Sequence, residues 1–87
     1  MNIAVDVIAA FNPDGDIKPI YISLENENHK IVSHKLDVKY EKDEIYSGIK
    51  SILFTCSYIK YDDTVEDITI RFYMDAHKWV IVNNGKA

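Results

Sequence analysis

Three histidines, a single cysteine and two acidic turns are the side chains of this sequence most able to carry chemistry. His29, His34 and His77 are the only imidazoles, and none stands beside a second His or a Cys at metal-ligand spacing. Zinc is held by about four ligands at recurring spacings. His29 and His34 fall on opposite faces of a regular strand, and only a bulge between them would let them converge. They read as a turn residue and a strand residue, and His77 reads as a second turn residue. Cys56 has no partner for a disulfide or a four-cysteine zinc site. It closes the apolar run Ile52 to Cys56, which reads as a buried, inert thiol. The turn Asn12-Pro13-Asp14-Gly15-Asp16 offers oxygen ligands, but a calcium loop needs a longer cage and a distant bidentate Glu. Asp62, Asp63, Glu66 and Asp67 form the strongest local negative charge and read as a solvated loop. No nucleophile elbow and no glycine-rich phosphate cradle is present. The expectation is a protein that is not an enzyme and uses no metal or cofactor.

Tyrosine is the feature left over. Six Tyr stand against three Phe and one Trp. Strand alternation points Tyr21, Tyr61 and Tyr73 outward, with Arg71 on the same side as Tyr73. These four residues, Tyr21, Tyr61, Arg71 and Tyr73, form the candidate interaction surface. Exposed Tyr is enriched at protein interfaces, and bases or peptides stack on such rings. The competing reading is cross-strand packing on the sheet exterior.

The elements that must position these residues are strands. Ile3, Val5 and Val7 alternate, and the blur from Ile8 to Phe11 signals a bulge. The 12–16 segment is the clearest turn, with Pro fixing one corner and Gly supplying a positive φ. Ile20, Ile22 and Leu24 alternate in the second strand, where Pro19 marks an edge or a bulge. In the third, Leu36, Val38 and Tyr40 share a face, Ile31 points away, and a bulge is expected near Ser33. Residues 42–48 read as a loop, with a short helix stopped by Gly48 as the alternative. Ile52, Phe54, Cys56 and Tyr58 point inward in the fourth strand. Ile68, Ile70, Phe72 and Met74 point inward in the fifth, with Thr69, Arg71 and Tyr73 outward. Asp75 to Lys78 makes a hairpin loop before a last strand, Trp79 to Val82.

The chain has 87 residues, enough for one domain with a single thin core. The expected fold is all-β: a small, strongly bent antiparallel sheet or an SH3-like barrel of five to six strands, because curling buries the apolar face and removes edges. The domain is expected over 1–83, with 84–87 as a frayed tail.

The order Ile3-x-Val5-x-Val7, Ala10-Phe11, Asp14-Gly15-x-Ile17-x-Pro19, then Lys35-Leu36-Asp37-Val38, Phe54-x-Cys56 and Lys78-Trp79 resembles a group of short β proteins of Gram-positive bacteria. The resemblance covers most of the chain and rests on turn and core residues. It implies a small barrel in a bacterial protein and no particular chemistry.

A net charge of −4 disfavours a nucleic-acid partner, since phosphate binding calls for a basic face. A stripe of Lys30, Lys35, Lys39 and Arg71 on one face would supply such a face. No apolar run approaches the ~20 residues of a membrane helix. The start of the chain does not read as a signal peptide, so the cytoplasm is the default expectation. The leading functional reading is a protein-interaction or self-assembly module, with a protein partner or homodimer held by a strand edge or a Tyr-bearing face. A nucleic-acid-binding small barrel is the alternative. The unprotected edge is expected on the first or last strand, with Lys18 and Pro19 guarding another.

Overall fold

The computed structural model describes residues 2–60 and 62–82, so Tyr61 and the 84–87 tail lie outside the described residues. Turn chemistry divides the chain into a meander. Asn12 organises the first turn: its side-chain oxygen accepts from the Asp14 and Asp16 amides at 3.0 and 2.9 Å, and Gly15 takes φ +88°. Asn26 repeats the device, accepting from the Asn28 and Lys30 amides at 2.8 and 3.0 Å, with His29 at φ +62° in the place of the glycine. In the turn between Lys60 and Thr64, Asp62 accepts from the Thr64 amide at 3.1 Å and Asp63 takes φ +68°. The first two match the three-residue hairpin loop in which a tight turn is followed by one left-handed residue.

The strands are β1 (Asn2–Ala4), β2 (Asp6–Phe11), β3 (Ile17–Glu25), β4 (Ile31–Lys35), β5 (Asp37–Tyr46), β6 (Ile49–Ile59), β7 (Val65–Tyr73) and β8 (Lys78–Val82). They form two antiparallel sheets, a five-stranded one ordered β1-β8-β7-β6-β5 and a three-stranded one ordered β2-β3-β4. The small all-β fold expected from the alternation is present. The sheets do not merge into a closed barrel. Two of the expected strands bend instead, and each passes from one sheet to the other. One bends at Val5, whose amide donates to the Trp79 carbonyl at 3.1 Å. The other bends at Leu36, whose amide donates to the Ile20 carbonyl at 2.8 Å. Strands that switch sheets in this way make corners and let two small sheets share one core.

That core holds Ile17, Ile22, Leu36, Phe54, Cys56, Ile70 and Phe72. The inward faces expected for the fourth and fifth strands supply most of it. Ile52, Tyr58, Ile68 and Trp79 pack partly buried against it. Met74 departs from the expectation: it lies past the end of β7 and is exposed.

Other readings need correction. Residues 42–46 are strand, neither loop nor helix, because Ser47 and Gly48 make a two-residue turn with φ of +53° and +79° that folds β5 back onto β6. Positive φ at both central positions is what a tight hairpin of right-handed twist requires. The bulge near Ser33 is absent, since β3 and β4 keep regular register from Glu25↔Ile31 to Tyr21↔Lys35. It occurs at Lys39 instead, where Val38 faces Cys56 and Tyr40 already faces Thr55. That slip turns Tyr40 out of the core. The bulge expected in the first strand after Val7 falls on its partner: Ile8 faces Tyr21 and Ala9 faces Pro19, so the extra residue is Ile20 of β3, next to the Pro19 that marked a bulge. Pro19 is fully buried beside it on the central strand of its sheet, so it guards no sheet edge.

Gly48→Ala tests the hairpin turn. An added Cβ would meet nothing within 4 Å, so the cost is conformational alone. Holding a non-glycine residue at this positive φ costs roughly 1 kcal/mol. A drop of that size in chemical-denaturation stability is expected, with the core spectroscopic signal of the folded state unchanged.

Candidate functional site

The candidate surface residues divide between the sheets. Tyr21 pairs with Ile8 on one side and Lys35 on the other, on the outer face of the three-stranded sheet. Arg71 and Tyr73 share the outer face of β7 in the five-stranded sheet, opposite Leu53 and Ser51 of β6. Tyr21 is therefore not brought together with Arg71 and Tyr73, and Tyr61 lies outside the described residues. Tyr21 is 39 % exposed, whereas Arg71 and Tyr73 are half-buried.

Arg71 has a partner that spacing in the sequence does not reveal. Its Nη2 donates to Glu44 Oε1 of β5 at 2.6 Å, reaching diagonally across β6 over the buried Ser51. Both side chains are about three-quarters shielded, with 22 % and 26 % exposure. Burial opposes the guanidinium charge, but the neighbouring Tyr73 and Glu44 more than offset it, and the pKa is raised. Arg71 Nε is buried without a hydrogen-bond partner among the described residues. The pair thus behaves as a cross-strand clamp over β6. Its guanidinium is already occupied by a carboxylate.

The basic stripe does not form on one face. Lys35 sits on the outer face of the three-stranded sheet, Lys39 lies at the β5 bulge 3.6 Å from Asp37, and Arg71 is held by Glu44.

The histidines stay apart as well. His29 Nδ1 lies 2.8 Å from Glu25 Oε2 at an exposed turn. His34 stacks on Tyr58 at 4.7 Å, and His77 meets the edge of Phe72 at 6.3 Å. Among the described residues, no three His, Cys, Asp or Glu side chains gather where a metal ion could be held. In the acidic 62–67 segment two carboxylates are engaged. The Thr64 hydroxyl and amide hold Asp62 below its ordinary pKa, and Glu66 lies 3.5 Å from Lys60. Among the described residues, no helix is long and apolar enough to cross a membrane.

Cys56 is fully buried. Burial first, and the charge of Asp37 second, push its thiol from 9.0 up to about 11. An acidic group whose pKa is raised by folding contributes stability that is lost as pH rises from its unfolded to its folded pKa. Stability is therefore expected to hold up to about pH 9 and then fall, by roughly 2 kcal/mol by about pH 11. Urea midpoints across this window, compared with those of Cys56→Ala, check it; the variant is less stable but lacks this component of the alkaline decline.

The first strand lies at a free edge as expected, since β1 and β2 are each an edge strand among the described residues. Sequence reasoning missed the other two edges, β4 and β5; among the described residues β5 pairs only with β6. The last strand, β8, lies between β1 and β7 and offers no free edge. The outer side of β5 runs for 10 residues, Asp37–Tyr46. Tyr40 beside the β5 bulge is 63 % exposed, and Ile45 and Ile49 flanking the hairpin turn are 70 % and 48 % exposed.

No protein family, curated protein or solved structure matches the chain in comparison.

Proposed function

We propose that the chain is a non-enzymatic protein-interaction or self-assembly module that docks through the free edge of β5. One observation carries this reading: among the described residues, a 10-residue edge strand has a neighbour on one side only. An unpaired edge presents a row of backbone donors and acceptors, and an incoming strand satisfies them. Tyr40, Ile45 and Ile49 add apolar area beside that row. Lys39, Glu41, Lys42, Asp43 and Glu44 mix both signs along the strand, which resists indiscriminate pairing and admits a partner of complementary pattern. The Tyr-bearing face supports the reading less well, since Tyr21 and Tyr73 belong to different sheets.

Light scattering at two concentrations, combined with amide hydrogen exchange, tests this. For a homodimer, amides of β5 that point away from β6 exchange fast in dilute solution and slow in concentrated solution. For a different protein partner, the same amides become protected when it is added, and Tyr40→Lys weakens the complex. A monomer at both concentrations removes the homodimer version. A partner complex that leaves β5 exchange unchanged removes the edge reading altogether.

A further inference from the structure

A second feature lies away from β5. The Val5 amide bond to Trp79 is the last rung between the first strand and β8. Beyond it β2 turns away into the other sheet, and its side facing away from β3 is unpaired. A groove of about 630 Å³ opens there, bordered by Val5, Val7, Trp79 and Ile81, with Leu24 and Glu25 at its far side. Leu24 and Glu25 also border a second groove of about 540 Å³, which continues past Val32, Tyr58 and Ile68. The two grooves adjoin at Leu24 and Glu25 and are together called the cleft. Its interior is apolar. Among the described residues four carboxylates line it, Asp6, Glu25, Glu27 and Asp62, against two lysines, Lys60 and Lys78. Lys60 lies 3.5 Å from Glu66, Glu25 lies 2.8 Å from His29 and Asp62 accepts from Thr64, which leaves the carboxylates of Asp6 and Glu27 against Lys78.

We infer that this cleft binds an extended segment of a partner protein in which apolar and basic residues alternate. The free side of β2 supplies backbone groups for an added strand. A strand sends alternate side chains to opposite sides, so one set enters the apolar cleft while the other reaches the acidic rim. Charge complementarity selects a basic segment over an acidic one. This surface is distinct from the β5 edge, and either can fail without the other.

Trp79 borders the cleft and is the only Trp of the chain, so its fluorescence reports occupancy. The probes are two capped peptides of about eight residues, one alternating Lys and Val, the other Glu and Val. The Lys-Val peptide is expected to shift Trp79 emission saturably and to bind at least about tenfold more tightly than the Glu-Val peptide, with the difference shrinking as salt is added. It should also slow amide exchange in β2. Asp6 and Glu25 are both exposed, so Asp6→Lys with Glu25→Lys leaves the core intact. That variant should lose the preference for the Lys-Val peptide. Equal affinity for both peptides, or binding to neither, overturns the inference. Protection confined to β5 with Trp79 unchanged assigns the peptide to the other edge and also overturns it. A Trp79 shift that grows with protein concentration in the absence of peptide assigns the cleft to a second copy and overturns it as well.

Discussion

Phe54→Ala is expected to remove most of the stability of this fold. Phe54 is 0 % exposed, in the middle of β6 and between its neighbours β5 and β7. Its ring lies 5.7 Å from Trp79, which in turn lies 4.8 Å from Phe72. These three rings tie β6, β7 and β8 into one packed layer. Truncating a buried Phe costs about 3–5 kcal/mol, the sum of lost transfer energy and an unfilled cavity. A chain of this length holds roughly 4–13 kcal/mol in total at the usual stability per residue. The substitution therefore consumes a large share of what is available. Urea denaturation followed by circular dichroism and Trp79 fluorescence measures it. A loss below about 2 kcal/mol would mean that the two sheets close the cavity by sliding together, and the core would be softer than its packing indicates. Phe54→Leu keeps most of the volume and is expected to cost far less.

What the sequence disclosed, and what it hid, follows from the range of the interactions involved. Alternation is local, and it placed Phe54, Cys56, Ile70 and Phe72 inside because β6 and β7 are regular over their length. The 12–16 turn was legible because Pro13 and Gly15 state their φ preferences outright. The turns at His29, Asp63 and His77 were legible as polar loops, but not their backbone geometry: each places a non-glycine residue at positive φ. The second half of β5, after Tyr40, was hidden by its own charge. Its Glu41 and Asp43 lie in exposed register positions of a hairpin arm that leaves the core, so no hydrophobic pattern announces a strand. The corners at Val5 and Leu36 depend on bonds to Trp79 and Ile20, which no local window contains. The candidate site shows the same limit. Parity along each strand placed Tyr21, Arg71 and Tyr73 outward, but only the pairing order reveals that they occupy two sheets. Glu44 is 27 positions from Arg71, and the clamp between them exists only in the register β5-β6-β7.

The three-stranded sheet meets the core through fewer side chains, and that makes Ile22 the second position of large effect. Ile22 is 0 % exposed at the centre of β3, with Val7 and His34 as its cross-strand neighbours. Besides Ile17 and Pro19 it is the fully committed side chain that this sheet sends inward. Ile22→Ala is expected to cost about 2–5 kcal/mol. The distribution of that loss is the sharper expectation. β6 and β7 keep their aromatic layer, so hydrogen-exchange protection should fall most in β2, β3 and β4, and least around Phe54 and Ile70. Leu24, two residues along the same face of β3, borders the cleft, so the wedge between β2 and β8 should loosen with it. Uniform loss of protection across both sheets would instead mean that the two corners at Val5 and Leu36 couple the sheets into one cooperative unit. The ratio of protection lost in the two sheets decides between these outcomes.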